Sequence, residues 1–386
     1  MSSVRLWSGV QEVAAAEWDG LSADASPFHE HAFLKALETT ECVGADSGWT
    51  PLVFGLEGAE GALKALMPTY LKDHSMGEFV YDWAFADAAQ RGRVPYYPKM
   101  VVTSPFSPIA GPRVLLAPEA EAGDRRRQIH ELLKAATQEA QSRGCHSVNL
   151  LFCTDEEMEV ARELGFFERL AIQLHWENDG YACFDDYLAR FRAKRRKEIK
   201  RELSHIAKAG VEIQNLSGMP GGGGLGPELA KAAFSFYADT VDRFHWGRRY
   251  LNEAFFETLF ETLPERIEFT VARRGGDLIA GALNLEKNGR RYGRYWGTNA
   301  PVPFLHFAVC AYGPIGDCIA RGVEAFEAGA GADGHKFERG FLPRVTRSAH
   351  LYFHGDFHRA VEAYCEREAG HVRREVKSLA QGVFIR

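Results

Sequence analysis

The amino-acid sequence predicts an α/β protein with mixed sheets, organised as two domains. Its 386 residues exceed what one compact domain usually needs. Apolar residues make up 46% and charged residues 25%, the balance of a globular chain. Strand and helix patterns alternate, and each half places an antiparallel meander before a helix and a strand. We therefore predict a first domain over residues 1–177 and a second over residues 178–386.

The first domain is predicted to begin with strands and short helices and to end in a strand-helix-strand unit. The elements are a strand at 4–7, helices near 11–18 and 30–40, strands at 51–57 and 62–71, strands at 98–103 and 112–116 inside a long loop from 75 to 118, a helix from 124 to 144, a strand at 146–153, a helix to 165, and a strand at 166–176. Thr154 and Glu157 are spaced as a capping box at the start of the helix that ends near 165.

The second domain is predicted to repeat this logic around a three-stranded meander. The elements are a charged helix at 187–209, a strand at 211–216, a flexible loop at 217–227, helices at 228–243 and 252–263, strands at 266–273, 278–287 and 290–297, a helix at 304–321, a strand at 323–329, a strand near 348–354, and a helix at 357–380. The similarity between the halves lies in the order of elements, because their residues match only weakly.

Composition narrows the classes of function. The net charge of -6 argues against a general attraction for nucleic acids or acidic membranes. The seven cysteines form no CxxC pair, which argues against zinc ribbons and thioredoxin-type sites and is typical of reduced thiols. No apolar run is long enough to span a bilayer, and the N-terminus resembles no signal peptide. We therefore expect a cytoplasmic protein.

Several sequence strings resemble the FemAB-like family of tandem-GNAT acyltransferases. They are FVYDWAFADA (79–88), YYPKMVVTSPFSPIAGPRVL (96–115), LGFFERLAIQLHW (164–176), FDDYLARFRAKRRKEIKRE (184–202), RYWGTN (294–299), LHFAVCAYGPIGDCIARG (305–322) and HKFERGFLP (335–343). The resemblance implies two GNAT-like domains in tandem. It also implies N-acyl or aminoacyl transfer from acyl-CoA or aminoacyl-tRNA to an amine.

The chain departs from the usual CoA-binding pattern. Most CoA-using GNAT domains have a Gly-rich turn before a helix, where backbone N–H groups approach the pyrophosphate. Here the corresponding stretch is TNAPVPFLHF at 298–307, with two Pro and no Gly. The first domain has AGPRVLLAPEAEAGDRRRQ at 110–128, which also lacks the pattern. The usual CoA cradle is therefore not predicted.

A basic run is the strongest local signal, since eight of the twelve residues from Arg190 to Arg201 are cationic. Such a run is typical of a solvated helix face, and it could also neutralise tRNA phosphates. Arg195 interrupts an apolar stripe formed by Phe191, Ile199 and Leu203. An inward guanidinium needs an anionic partner, either an internal carboxylate or a substrate carboxylate or phosphate. We hypothesise that the substrate supplies it.

Two further groups contain candidate catalytic and binding residues. Amine acylation needs a base, and Glu327 or His335 could accept the proton, while Lys336 and Arg339 could hold a phosphate or carboxylate. The alternative is that Glu327 forms an internal ion pair with a nearby cation. Candidate substrate-binding residues outside this group are Tyr97 and Lys99 in the aromatic segment, and Trp296 and His306 at the end of the meander. The alternative for each of these four residues is core packing.

These observations predict an N-acyltransferase that acts by direct transfer in a ternary complex, without a metal. No HExxH motif or third ligand accompanies the paired histidines, and no GxSxG elbow occurs. The acceptor is expected to be an amine on a small or peptide-like molecule. The alternatives are a Fem-type aminoacyl transferase acting on a peptidoglycan precursor, and a non-catalytic ligand-binding protein on a degenerate GNAT scaffold.

Overall fold

A computed structural model describes residues 3–58, 61–243, 247–331, 334–379 and 384. The chain forms two compact units. The first contains residues Met1–Ala171 and Val345–Arg374, and the second contains Ile172–Arg344 and Glu375–Arg386. The sequence assigned residues 345–374 to the second domain, whereas they pack in the first unit. The predicted domains follow the repeated order of strands and helices, whereas each unit is a group of residues that pack together. The two divisions therefore describe different things, and the domain boundary at residue 177 stays a prediction.

The elements of the first half of the chain are β1 (Ser3–Trp7), α1 (Ala15–Leu21), α2 (His31–Thr39), β2 (Trp49–Glu57), β3 (Leu63–Lys72), α3 (Trp83–Arg91), β4 (Lys99–Val102), β5 (Leu115–Leu116), α4 (Ala122–Ser142), β6 (Ser147–Leu150), α5 (Asp155–Glu163) and β7 (Phe167–Glu177). Those of the second half are α6 (Phe184–Ala189), α7 (Ala193–Lys208), β8 (Val211–Ser217), α8 (Pro227–Arg243), α9 (Glu253–Thr262), β9 (Ile267–Arg274), β10 (Asp277–Lys287), β11 (Arg290–Thr298), α10 (Leu305–Phe307), α11 (Gly313–Arg321), β12 (Ala325–Glu327), α12 (Gly334–Phe337), β13 (Leu342–Tyr352) and α13 (Gly355–Leu379).

The first unit is built on a mixed sheet with the strand order β1-β2-β3-β4-β6-β13. Strands β1 to β4 are antiparallel neighbours, β4 and β6 run parallel, and β13 is antiparallel to β6. The apolar face of α4, including Ile129 and Leu133, packs with Phe54 and Met67 of the sheet in one core. Thr154 and Glu157 form the predicted capping box at the start of α5.

The second unit is also built on a mixed sheet, with the order β7-β12-β11-β10-β9-β8. The predicted meander of β9, β10 and β11 is present, and β12 runs parallel to β11. Between α10 and α11 the helix takes a π-helical form over Ala308–Tyr312. Apolar side chains of α6, α10, α11 and the sheet fill the cores of this unit.

Two local predictions were wrong. Helix α3 lies inside the predicted long loop, because Phe85 and Ala89 give it a short buried face among the aromatic residues. The charged helix is two helices, α6 and α7, rather than one. It breaks because Phe191 is buried and its backbone forms a β-bridge with Phe384, which a helical residue could not do. The apolar stripe predicted from Phe191 to Leu203 therefore does not run along a single helix.

Candidate active site

A cavity of about 490 Å³ lies in the second unit, where β11 gives way to the next helix. The turn after Thr298 contains two prolines, and Phe304 takes a left-handed backbone conformation before α10 begins. The side chains and backbone of this turn and of the helix start line the cavity. The lining residues are Arg243, Trp296, Thr298, Asn299, Ala300, Pro301, Val302, Phe304, Leu305, His306 and Phe307.

Strand β11 diverges from β12 beside this region. The two strands pair only where Arg290–Tyr292 faces Ala325–Glu327. Residues 293–298 continue along β10, and in the described residues no strand pairing continues for them on the β12 side. The backbone of an unpaired strand edge can hydrogen-bond an extended ligand that carries amide groups. The backbone N–H and C=O groups of residues 293–298 on this side are therefore a second place near the cavity where a ligand could form hydrogen bonds.

Three of the predicted site residues lie together: Trp296 and His306 line the cavity, and His335 packs against His306. The imidazole rings of His306 and His335 lie with centroids 5.3 Å apart. His306 also packs on Trp296 at 4.3 Å, and His335 lies 6.1 Å from the ring of Phe307. Both imidazoles are half-buried. Because an imidazole can accept and release a proton near neutral pH, this pair is suited to acid-base chemistry.

Arg339, predicted to bind substrate, is instead buried and internally paired. Its Nη2 donates to Glu202 Oε2 at 2.9 Å, and its Nη1 donates to the carbonyl of His335 at 2.7 Å. The guanidinium carbon lies 3.2 Å from the centroid of the Phe307 ring. Tyr312 donates to the same Glu202 oxygen at 2.5 Å. Arg339 therefore holds the turn that bears His335.

Arg195 also has internal partners. Its Nε donates to the carbonyl of Glu338 at 2.9 Å, and its Nη1 donates to Glu198 at 3.0 Å. Glu202 lies 3.7 Å from Nη2. Glu198 and Glu202 are therefore anionic partners of Arg195 inside the protein. An internal carboxylate was the alternative that the sequence left open. The hypothesis that a substrate anion also reaches Arg195 stays a prediction.

Glu327 is buried at the end of β12 and pairs with Arg290, whose Nη1 lies 3.2 Å from Oε1. The other carboxylate oxygen lies 3.9 Å from His175 Nε2. Burial, together with Arg290, Arg344 and Lys336, lowers the pKa of His175 to about 3. His175 is therefore neutral at physiological pH, and Arg290 is a charged partner of Glu327. A role for Glu327 as catalytic base stays a prediction.

Lys336 lies on α12 next to His335. Its ammonium donates to the carbonyls of Ala330 at 2.8 Å and Gly331 at 3.1 Å. These bonds tie α12 to the segment that follows β12. Lys336 thereby links α12, which bears His335, to Ala330 and Gly331, and its contact with a substrate anion stays a prediction.

Tyr97 and Lys99 lie in the first unit, and neither is among the residues that line the cavity. The three N–H donors of the Lys99 ammonium are all used, by Ser75, Glu78 and Asp82 at 2.9, 2.9 and 2.5 Å. Burial opposes its charge, but the two carboxylates outweigh burial and raise the pKa of Lys99. Tyr97 shares a hydrogen bond of 2.7 Å with Ser75. This geometry favours the packing alternative for Lys99.

A basic stripe runs along the exposed side of α7. We use this name for Lys194, Lys197, Arg201 and Lys208, whose spacings of three, four and seven place them on one helix face. All four are exposed, and within the described part of the chain none of them has an ion pair or a side-chain hydrogen bond. His205 lies on the same face and packs its ring 5.5 Å from that of Phe304, which lines the cavity. The stripe therefore leads to the cavity.

The FemAB-like family, described as peptidoglycan biosynthesis and recognition, matches residues 9–386. The chain belongs to the FemAB-like family. Among solved structures it is similar to FemX, with a TM-score of 0.52 and 11% identity over 91% of this chain and 98% of that one. This similarity confirms the predicted α/β tandem-GNAT fold.

Two other solved structures are similar to this member of the FemAB-like family. One is the C-terminal domain of a putative lysylphosphatidylglycerol synthetase from Agrobacterium fabrum, with a TM-score of 0.52 and 10% identity over 90% and 94% of the two chains. The other is a tandem GNAT protein of the clavulanic acid biosynthesis pathway, with a TM-score of 0.46 and 11% identity over 91% and 98%. No curated protein matches the sequence.

Within residues 3–58, 61–243, 247–331 and 334–379, no three His, Cys, Asp or Glu side chains are grouped so that they could hold a metal ion. In the same part of the chain, no helix combines the length and apolarity needed to cross a bilayer.

Proposed function

We propose that this FemAB-like protein is an N-acyltransferase that takes an aminoacyl group from aminoacyl-tRNA and transfers it to an amine. The observation that carries the proposal is the basic stripe on α7, which meets the cavity where His205 packs on Phe304. Four exposed cations without internal partners are suited to phosphates, and they extend over about 21 Å of helix at 1.5 Å per residue. The cavity at their end has the size of a small-molecule site.

The chemistry needs a proton acceptor and a leaving hydroxyl group. The acceptor amine attacks the carbonyl carbon of the aminoacyl ester, and a C–N bond forms while the C–O bond to the tRNA ribose breaks. The amine gives up one proton, which His306 or His335 accepts and passes to the departing ribose hydroxyl. The helix that begins at Leu305 and continues through Ala308–Tyr312 into α11 carries a partial positive charge at its start, which favours the negative charge that develops on the carbonyl oxygen.

Acyl-CoA is the second candidate donor, favoured by the open backbone edge of β11 at residues 293–298. The pantetheine arm of CoA carries two amides, which could pair with this edge. The turn at 298–307 fits the pyrophosphate less well, because it offers prolines and aromatic rings where backbone N–H groups would be needed. The acceptor of first choice is an amine of a peptidoglycan-precursor peptide, in keeping with the description of the family.

The proposal is tested by amine-dependent discharge of the donor. The protein is incubated with a pool of tRNA charged with radiolabelled amino acids, with and without a peptide that carries a free amine. We expect the label to move from the RNA to the peptide. A parallel reaction with acyl-CoA tests the second donor. Binding of tRNA without any transfer from either donor would overturn the enzymatic proposal in favour of the non-catalytic binding protein.

A further inference from the structure

The surroundings of Arg339 connect three parts of the second unit. Glu202, on the buried side of α7, accepts one arm of the guanidinium. Phe307, which lines the cavity, stacks under its plane. The other arm donates to the carbonyl of His335. With only 2% of its surface exposed, Arg339 is closed to substrate.

We propose that Arg339 is a positioning residue that fixes His335 beside His306, an inference that rests on the proposed transfer function. Helix α12 has only four residues, and a single turn has little stability of its own. Its orientation therefore depends on what its backbone and side chains contact. The bond from Arg339 to the His335 carbonyl acts directly on the residue whose imidazole lies 5.3 Å from that of His306, which lines the cavity.

An arginine is suited to this task because its guanidinium is planar and its donors are fixed in a fork. One arm can reach Glu202 and the other His335, while the flat face stays on the Phe307 ring. Tyr312 donates to the same Glu202 oxygen and so keeps the carboxylate in place. A lysine ammonium retains the charge but cannot hold all three contacts at once.

The alternative is that Arg339 only stabilises the unit as a buried ion pair, and Arg291 provides the matched control. Arg291 is also fully buried in the second unit, where its Nη2 lies 2.7 Å from Glu286 and 2.6 Å from Asp317. It does not line the cavity. Replacing either arginine by lysine perturbs a buried guanidinium network, but only one of them holds a candidate catalytic imidazole.

The experiment compares Arg339→Lys with Arg291→Lys, using the full chain and the tRNA discharge assay. We expect Arg339→Lys to lower kcat about 100-fold, the effect of displacing a reacting group by about 1 Å. The KM for charged tRNA should stay unchanged, because the basic stripe is intact. Arg291→Lys should lower the Tm while leaving kcat per folded molecule at the wild-type value. Equal kcat values for Arg339→Lys and wild type would overturn the proposal, as would an equal loss in both variants.

A second measurement does not depend on activity. In protein labelled with ¹⁵N-histidine, the imidazole resonances of His335 and His306 report their mutual position. We expect both resonances to shift in Arg339→Lys and neither to shift in Arg291→Lys. An unshifted His335 in Arg339→Lys would overturn the positioning role even if wild type transferred no acyl group. A wild type that is inactive, with shifted resonances in Arg339→Lys, would instead refute only the transfer function.

Discussion

Replacing Lys194, Lys197 and Arg201 with glutamine removes three positive charges from the basic stripe without touching the buried face of α7. The side chains are exposed and have no partners in the described part of the chain, so their loss should leave the fold intact. If each side chain neutralises one tRNA phosphate, each substitution should reduce the slope of log K against log salt by about 0.7 to 0.9. For three residues this amounts to a decrease of about 2 to 3 in the slope of log K against log salt.

The same relation gives the expected loss of affinity. At about 0.1 M salt, each contact contributes roughly 0.7 to 0.9 logarithmic units, so the triple variant should bind tRNA about 100- to 500-fold more weakly. The assay is fluorescence anisotropy with labelled, uncharged tRNA, repeated over a series of KCl concentrations. Circular dichroism and the Tm check that the variant folds as the wild type does.

A control variant separates a local site from a change in net charge. Arg125, Arg126 and Arg127 on α4 form an equally dense basic group in the first unit, but they face Glu156, Glu163 and Asp124, respectively. Changing these three to glutamine removes the same charge and should alter tRNA affinity little. An equal loss of affinity in both triple variants, or a wild-type slope in the α7 variant, would show that the basic stripe does not bind the tRNA phosphates.

Three further predictions concern the candidate site and the stability of the first unit. His335→Ala and His306→Ala should lower kcat for aminoacyl transfer and leave tRNA affinity unchanged. The loss should be about 100- to 10,000-fold for the imidazole that acts as the base. Full activity in both variants would exclude an imidazole base. Burial lowers the pKa of Lys72 to about 7, so the unfolded chain binds more protons between about pH 7 and 10, and the free energy of unfolding should rise with pH across this window. Urea titrations should show this rise in wild type and not in Lys72→Met, and equal slopes would contradict the pKa. Thr154→Ala should destabilise the protein by about 1 kcal/mol in the same titration, because the α5 capping box is lost, and an unchanged midpoint would show that the box contributes nothing.

Elements specified by local chemistry could be predicted from the sequence. The capping box at Thr154 and Glu157 marks the start of α5, and short turns separate the strands of the meander. The break before α7 could not be predicted, since it depends on a backbone bridge between Phe191 and Phe384, far apart in the chain. Helix α3 was missed because its buried face is short and lies among aromatic residues typical of a loop.

The candidate site was predictable in its residue types and less so in its contacts. His306 and His335 were both identified, and the structure brings their rings together. That Arg339 is held by Glu202 could not be predicted, because the two residues are 137 positions apart and no local pattern links them. The basic run was identified, but the face that it exposes depends on where α7 begins. Arg243 was missed because the end of α8 gave no sequence signal that it reaches the cavity.

In the proposed function, the cavity of the second unit holds the acyl group of a donor that the basic stripe guides there. This function is tested most directly by a crystal structure with a 3′-terminal tRNA fragment that carries an amino acid through a stable amide bond. We expect the amino-acid side chain to lie between Trp296 and Phe307, its carbonyl near His306 and His335, and the phosphates along α7. An aminoacyl end bound outside this cavity, with the RNA away from α7, would contradict it.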